Sequence, residues 1–175
     1  MKTFAMMTAA AIAAAAAGCS TMTTMGGGAK AVASLEPTQG NSTHGTVTFT
    51  QRGGSVHVVA HVMGLKPGAT HGFHVHEKGD CGSADGMSTG GHFNPDGHPH
   101  GPQSAAHHAG DMPALVADAY GTADAAFDLA GVSLGGGGPD LVGKGLIVHR
   151  DPDDYRTQPT GNAGPRIACA VIRRA

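Results

Sequence analysis

Histidines crowd one part of this chain at spacings that suit metal binding. Eight of the twelve histidines lie between positions 71 and 108, namely His71, His74, His76, His92, His98, His100, His107 and His108. A hydrophobic core has little use for so many imidazoles, whereas zinc and copper bind them readily. The histidine-rich window therefore predicts a metal site.

Two of these histidines form a His-x-His pair in the run Phe73-His74-Val75-His76. On a β-strand, His74 and His76 point to one face while Phe73 and Val75 point to the other. The two imidazoles then stand side by side over a hydrophobic anchor, as two ligands of one metal do. A solvent-facing pair on an edge strand is the alternative, and the histidines downstream favour the metal site.

A second set of donors follows at intervals of eight, eight and three residues, and consists of His92, His100, His108 and Asp111. Three imidazoles and one carboxylate make a four-coordinate set that zinc accepts. The intervals match neither a helix nor a strand, so a loop must fold around the metal. His98 lies two residues before His100, and His107 lies next to His108. A shift of register would therefore make His98 or His107 the ligand instead.

The elements that must position these donors are short strands. Twenty-nine glycines, ten prolines and no tryptophan argue against long helices. Alternating patterns predict eight strands, over 31–35, 46–50, 55–62, 73–76, 114–117, 121–127, 145–149 and 167–172. The stretches 77–113 and 150–166 are not strand-like, and loops of such length in a compact domain are usually functional. The prediction is an all-β domain with two functional loops.

The N-terminal residues predict export. A lysine at position 2 is followed by small and apolar residues, which is typical of a signal peptide over 1–18. The run Ala16-Ala17-Gly18-Cys19-Ser20 resembles the bacterial lipoprotein box, in which the cysteine is lipidated and becomes the mature N-terminus. Ala16 stands where a larger aliphatic residue is usual, so ordinary cleavage nearby is the alternative. Residues 19–29 read as a flexible tether, and 30–175 as one domain. We expect a periplasmic protein that meets a membrane only through lipidated Cys19.

The net charge indicates which partners this chain can bind, and the cysteine content indicates whether it forms a disulfide. A formal net charge of -2 provides no basic field for nucleic acid. Three cysteines are an odd number for an exported chain, and lipidation of Cys19 leaves Cys81 and Cys169 as one pair. A disulfide between them is predicted, with two buried thiols as the alternative.

Five motifs together resemble the copper,zinc superoxide dismutase family, in order and across nearly the whole domain. They are Gly72-Phe73-His74-Val75-His76-Glu77, Gly91-His92-Phe93-Asn94-Pro95, His108-Ala109-Gly110-Asp111, Leu146-Ile147-Val148-His149, and residues 161–169 from Gly161-Asn162 to Ala168-Cys169. The resemblance implies an eight-stranded antiparallel Greek-key barrel or sandwich with both disulfide cysteines in place.

The resemblance also implies the site. It makes His74, His76, His92 and His149 the copper ligands, and His92, His100, His108 and Asp111 the zinc ligands. Asp153 would accept hydrogen bonds from His74 and His100. Arg166 would hold superoxide beside the copper, and His92 would carry a proton. The implied reaction converts superoxide to dioxygen and hydrogen peroxide with a redox-cycling copper and a structural zinc in each subunit.

Other function classes stay open at this point. An exported copper or zinc buffer would need the ligands but not Arg166 or Asp153, and a related module for copper delivery or partner binding commonly lacks ligands or the arginine. The chain could act as a monomer or a homodimer.

The remaining histidines have other expected roles. We expect His71 to be structural because on a strand its side chain points to the same face as that of Phe73. We expect His44, His57 and His61 to be surface or packing residues, although His57 and His61 share a strand face and could form a weak accessory metal site. The basic residues near the loops that could steer superoxide are Lys78, Lys144 and Arg156.

Overall fold

A computed structural model describes Met1 and residues 28–175, so positions 2–18 of the predicted signal peptide, Cys19 and the predicted tether up to position 27 lie outside the described residues. The strands are β1 (Lys30–Pro37), β2 (His44–Arg52), β3 (Ser55–Met63), β4 (Thr70–His71), β5 (Phe73–His76), β6 (Leu115–Val116), β7 (Ala123–Ala130), β8 (Gly145–His149), β9 (Arg166–Val171) and β10 (Arg173–Arg174). One 3-10 turn spans Met87–Thr89. None of the helical segments within 28–175 has the length and apolar character needed to cross a membrane.

The strands form one curled antiparallel sheet with the order β5-β8-β9-β1-β2-β3-β7, and β10 adds to the edge of β1. A separate ribbon pairs β4 with β6. Because β3 lies beside β7 and β5 lies beside β8, the chain crosses between non-neighbouring strands in the Greek-key manner. The all-β prediction is confirmed. Each of the eight predicted segments overlaps a strand, whereas β4 and β10 are too short to show an alternating pattern.

The core follows the alternation of the strands. In β3, Val56, Val58, Ala60 and Val62 are buried, while the residues between them face outward. Inward side chains of the other strands join them in one continuous apolar cluster. Each fully buried large apolar side chain stabilises the fold by about 1.5–3 kcal/mol. The histidine strand β5 packs against this cluster through Phe73 and Val75.

The long loop 77–113 completes the free edge of β5. The amide of Val75 donates to the carbonyl of Gly110 at 2.8 Å, and the amide of Phe93 donates to the carbonyl of Val75 at 2.8 Å. The loop thus pairs with the strand at two points far apart in sequence. This pairing carries the loop histidines to the strand histidines.

The predicted disulfide is present between Cys81 and Cys169. It fastens the start of the long loop to β9 across a sequence separation of 88 residues. Closing a loop of this size stabilises the folded state by about 4–5 kcal/mol in the chain-entropy model, as an upper figure. The loop is therefore held by a covalent bond at one end and by β5 further along.

Candidate metal centre

Four buried histidines converge at the end of β5 and β8. His74 and His76 project from β5, and His149 ends β8. Because Phe73 pairs with Val148 and both enter the core, His149 emerges on the same side of the sheet as His74. An isolated β-bridge between His76 and His92 adds the fourth ring. Strand parity and loop pairing together assemble the predicted copper set.

Hydrogen bonds fix which ring nitrogen of each histidine is free. The Nδ1 atoms of His76 and His149 donate to the carbonyls of Gly90 at 2.9 Å and Gly164 at 3.0 Å. The Nε2 atom of His74 donates to Asp153 at 2.7 Å. A nitrogen bonded to a carbonyl or carboxylate oxygen carries the ring hydrogen, so the other nitrogen offers a lone pair.

The remaining nitrogens of this set have no hydrogen-bond partner within the described residues. They are Nδ1 of His74 and the Nε2 atoms of His76, His92 and His149. One ligand atom from each of the four residues lies within 4.8 Å of the others. Leaving several buried lone pairs unsatisfied is costly, and a cation between them removes that cost. Four nitrogen ligands suit Cu(II), so the residues fit copper.

The second donor set surrounds Asp111 at the spacing of a zinc tetrahedron. The carboxylate oxygens of Asp111 lie 2.9 Å from Nδ1 of His92, 3.0 Å from Nδ1 of His100 and 3.3 Å from Nδ1 of His108. Nδ1 of His92 and Nδ1 of His108 are 3.4 Å apart. Zinc–ligand bonds of 2.0–2.1 Å give tetrahedron edges of about 3.3 Å. The residues fit zinc, and all four are buried.

His92 belongs to both sets, through Nδ1 on the Asp111 side and Nε2 on the side of His74 and His76. Its ring stacks on that of His74 with centroids 4.0 Å apart. One imidazole can serve two cations only if both ring protons are replaced by metal, because free imidazole keeps one of them near neutral pH. The structure thus places His92 in contact with both donor sets, where the family resemblance implies a shared ligand.

Asp153 joins the two sets from the other loop. Its carboxylate accepts from Nε2 of His74 at 2.7 Å and from Nε2 of His100 at 2.8 Å. Gly161 lets the loop come this close, since a Cβ at that position would lie 1.8 Å from Asp153 Oδ1 and its φ is +63°. The contacts orient one ring of each set, as carboxylates behind metal-bound histidines do.

Burial keeps the imidazoles near β5 neutral. It lowers the pKa of His74 to about 4 and the pKa of His149 to about 3. Burial also holds the pKa of His76 far below its ordinary value and lowers the pKa of His108. Neutral imidazole is the form that binds a metal, so these rings are ready ligands near neutral pH.

The buried carboxyl groups of Asp111 and Asp153 stay ionised. Burial would raise the pKa values of Asp111 and Asp153, but hydrogen bonds from surrounding imidazoles hold both well below the usual range. Burial would likewise lower the pKa of His100, but the two carboxylates outweigh it and raise the pKa to about 9. A cation that binds His100 Nδ1 therefore replaces a proton there.

A β-bulge places Arg166 beside this centre. Val148 pairs with Ala168, but His149 pairs with Arg166, which leaves Ile167 without a partner in the ladder. Strict alternation would put Arg166 on the same face as Ala168, toward the core. The extra residue turns its side chain to the His149 side instead.

The Arg166 guanidinium is held by three uncharged oxygens. Nη1 donates to the Gly86 carbonyl at 2.7 Å and to the Thr89 hydroxyl at 2.6 Å, and Nη2 donates to the Gly90 carbonyl at 2.7 Å. Burial lowers the pKa of Arg166, but a guanidinium stays charged at neutral pH. Within the described residues its Nε–H and one Nη2–H have no protein acceptor, so two donors remain for an anion.

A cavity of about 500 Å³ opens beside Arg166 and His149. Its other lining residues include Thr38, Asn41 and Asp85. Among the described residues Arg166 is the only arginine or lysine that lines it, so none of the three proposed steering residues does. Lys144 is instead engaged elsewhere, with its ammonium 4.5 Å from the centroid of the Phe93 ring and 3.2 Å from the carbonyl oxygen of Glu77.

The remaining histidines lie outside both donor sets. His71 is buried and its Nδ1 donates to the carbonyl of His149 at 2.9 Å. His57 and His61 pair with Asp128 and Asp124 across β3 and β7, at 2.8 and 2.6 Å. His44 and His98 are exposed, and Nδ1 of His107 donates to the carbonyl of Ala105.

Sequence reasoning missed two groups of supporting residues. Gly86, Thr89 and Gly90 hold Arg166. Gln158 clamps the backbone of His100, accepting its N–H at 2.8 Å and donating to its carbonyl at 2.9 Å. No sequence pattern marks a threonine or a glutamine in a glycine-rich loop as a support for another side chain.

Comparisons with known proteins agree with this geometry. Residues 43–172 match a family model described as Copper/zinc superoxide dismutase (SODC). A curated relative, superoxide dismutase [Cu-Zn] 2 of Brassica juncea, is 43% identical over 152 residues, which cover 82% of this chain and 96% of that protein.

Two solved structures share the fold. A double mutant of a SOD-like protein from Bacillus subtilis superposes with a TM-score of 0.74 at 35% identity, covering 81% of this chain and 96% of that one. The clock protein EA4 gives a TM-score of 0.75 at 38% identity, covering 83% and 94%. With the family match extending over most of the folded domain, this chain is a member of the copper/zinc superoxide dismutase family.

Proposed function

We propose that His74, His76, His92 and His149 hold the copper, and that His92, His100, His108 and Asp111 hold the zinc, with which this family member converts superoxide to dioxygen and hydrogen peroxide. The observation that carries the assignment is the position of His92, whose two nitrogens face the two donor sets. When bound, copper supplies one-electron oxidation and reduction, which no side chain of the site provides.

Arg166 would bind and orient the substrate. Within the described residues it has two N–H donors without a protein acceptor, and it lines the open cavity together with His149. Charge-assisted hydrogen bonds are roughly twice as strong as neutral ones, so a small anion would be held close to the copper ligands. The positive charge also raises the local concentration of anions.

His92 would move one of the two protons that the reaction consumes. Two superoxide anions and two protons yield one dioxygen and one hydrogen peroxide. Nε2 of His92 lies among the copper ligands and has no other hydrogen-bond partner in residues 28–175. When this nitrogen does not bind the copper, it would take up a proton from solvent and return it to the peroxide product, while the second proton also comes from solvent.

The test is superoxide removal by the copper- and zinc-loaded protein and its His149→Ala variant, with both metals quantified. We expect the variant to lose copper and activity and to keep zinc, because His149 touches only the copper set. A native protein that carries both metals and removes no superoxide would contradict the assignment.

A metal buffer or a non-enzymatic module is the competing function. The fold alone does not distinguish an enzyme from a metal buffer or a non-enzymatic module, since a SOD-like protein and a clock protein share it. Arg166 with two free donors favours the enzyme, because storage of a metal requires no anion site. If Arg166→Met left superoxide removal unchanged, the anion site would have no catalytic part and the buffer would gain support.

We further propose that 1–18 is a signal peptide, that 19–29 tethers the domain 30–175 to a lipidated Cys19, and that the protein works in the periplasm. The support is the residue pattern of the N-terminus. Intact mass of protein extracted from membranes tests this, since a chain that begins at Cys19 with added acyl mass is expected. A free N-terminus at another residue would contradict lipidation.

The assembly that we propose to test is either a monomer or a homodimer. Native mass spectrometry of the metal-loaded protein distinguishes the two directly.

A further inference from the structure

We propose that Thr89 is a positioning residue for the Arg166 anion site, and that its hydroxyl fixes the guanidinium in the orientation that receives superoxide. The inference rests on the role proposed above for Arg166. Thr89 lies in the long loop, is completely buried and belongs to neither donor set.

The Thr89 hydroxyl has one orientation open to it. It donates its hydrogen to the Gly86 carbonyl at 2.9 Å, which leaves a lone pair for Nη1 of Arg166 at 2.6 Å. A hydroxyl offers one hydrogen and two lone pairs, so this arrangement satisfies both contacts at once. The same Gly86 oxygen also accepts from Nη1, at 2.7 Å. Both hydrogens of Nη1 are therefore committed to the loop.

The position of Thr89 itself is fixed by its surroundings. Its amide donates to the Gly86 carbonyl at 3.3 Å, and its carbonyl accepts from the amide of Lys78 at 3.0 Å. Its Cγ2 methyl packs against Gly145, where a Cβ would lie only 2.9 Å away. The hydroxyl thus cannot turn away from Arg166 without moving the methyl group out of its contact with Gly145 of β8.

An uncharged partner suits the task better than a carboxylate. Within the described residues Arg166 has no carboxylate within 4.0 Å, although Asp85 lines the same cavity. A carboxylate at the place of Thr89 would hold the guanidinium equally well, but it would neutralise the charge that attracts an anion. A hydroxyl and two carbonyls hold the group without themselves neutralising its charge.

The experiment compares Thr89→Val with Thr89→Ser in protein loaded with both metals. Valine keeps the methyl packing and removes the hydroxyl, whereas serine keeps the hydroxyl. We expect Thr89→Val to weaken azide binding, measured by absorbance titration, and to lower the rate constant for superoxide removal, each by about fivefold, the effect of one hydrogen bond. Thr89→Ser should restore both to within about twofold of the native values.

Two control variants distinguish a failure of the role of Thr89 from a failure of the role of Arg166. Thr43→Val removes a hydroxyl that is also buried but bonds the Gly64 carbonyl away from the site, so both readings should stay native. Arg166→Met should weaken azide binding more than Thr89→Val does. If Arg166→Met has no effect on azide, the role of Arg166 itself fails. If Arg166→Met weakens azide binding but Thr89→Val, with full copper and zinc content, does not, only the role of Thr89 is overturned.

Discussion

The chemistry of this protein is decided at single ring nitrogens. His74 offers Nδ1 because Asp153 holds its Nε2, whereas His76 and His149 offer Nε2 because backbone carbonyls hold their Nδ1 atoms. The tautomers are thus set by neighbours before any metal arrives. Ligands prepared in this way lose little freedom on binding, which favours tight and selective sites.

Asp153 is the residue whose replacement tests this preparation. Asp153→Asn keeps the shape but offers only one oxygen to the two N–H donors of His74 and His100. We expect copper and zinc affinity both to fall by about 10–100-fold, measured by competition with chelators of known affinity. A loss confined to one metal would show that the carboxylate does not link the two sets.

The histidines beside the zinc ligands give a second test at this scale. A double variant His98→Ala, His107→Ala should keep native zinc content, because the Nδ1 atoms of His100 and His108, not those two rings, lie beside Asp111. His100→Ala should lose zinc under the same dialysis. Metal analysis of the two variants side by side decides the register, and zinc loss in the double variant would reverse it.

At the scale of elements, the site exists because irregular segments join regular ones. The bulge between β8 and β9 turns Arg166 toward His149. The pairing of the long loop with β5 brings His92 and Asp111 to the strand histidines. Bulges and edge pairings of this kind are the means by which a sheet redirects a side chain without losing its core.

Gly110 lies where the loop closely approaches β5. A Cβ there would lie 2.2 Å from the Val75 carbonyl oxygen and 3.0 Å from the Phe93 amide nitrogen. We expect Gly110→Ala to reduce stability by about 1–3 kcal/mol, the usual cost of overpacking, and to weaken zinc binding because Asp111 moves with the loop. Chemical denaturation and zinc titration measure the two effects.

Gly54 provides the matched control, since a Cβ there would meet nothing within 4 Å. Gly54→Ala should leave stability and zinc affinity near native. Equal losses in both variants would mean that close approach of the loop to β5 is not the cause.

At the scale of the whole molecule, the metals, the disulfide and the core stabilise one unit. The two loops contribute buried polar groups to the centre, and without cations several buried nitrogens lack partners within residues 28–175. The metals therefore act as part of the folded structure as well as part of the chemistry. The bond between Cys81 and Cys169 keeps the loop in place independently of them.

Removal of both metals should lower the melting temperature by about 16–32 °C. Each metal at about a thousand times its dissociation constant stabilises the native state by about 4 kcal/mol, so the two together contribute about 8 kcal/mol, and each kcal/mol shifts a domain of this size by about 2–4 °C. Calorimetry before and after chelation measures the shift, and return of the metals should restore it. An unchanged midpoint would show that the loops are stable without the cations.

By themselves, the residue types and their spacing determined the secondary structure and the kind of site. Alternation predicted the strands, because burial on one face imposes a period of two. The parity of His74 and His76 placed two ligands on one side, and the density of histidine predicted a metal.

The residue pattern by itself left open how the distant parts meet, and apart from what the family resemblance implied, the tertiary structure decided it. The pairing of His76 with His92, the convergence of Asp153 on two rings and the bulge that reorients Arg166 depend on contacts between residues 16 to 79 positions apart. Local periodicity contains no information about such contacts, because the path of a loop is set by what it packs against. For the same reason Thr89 carried no signal in the sequence and gained a role only from the guanidinium that lies beside it.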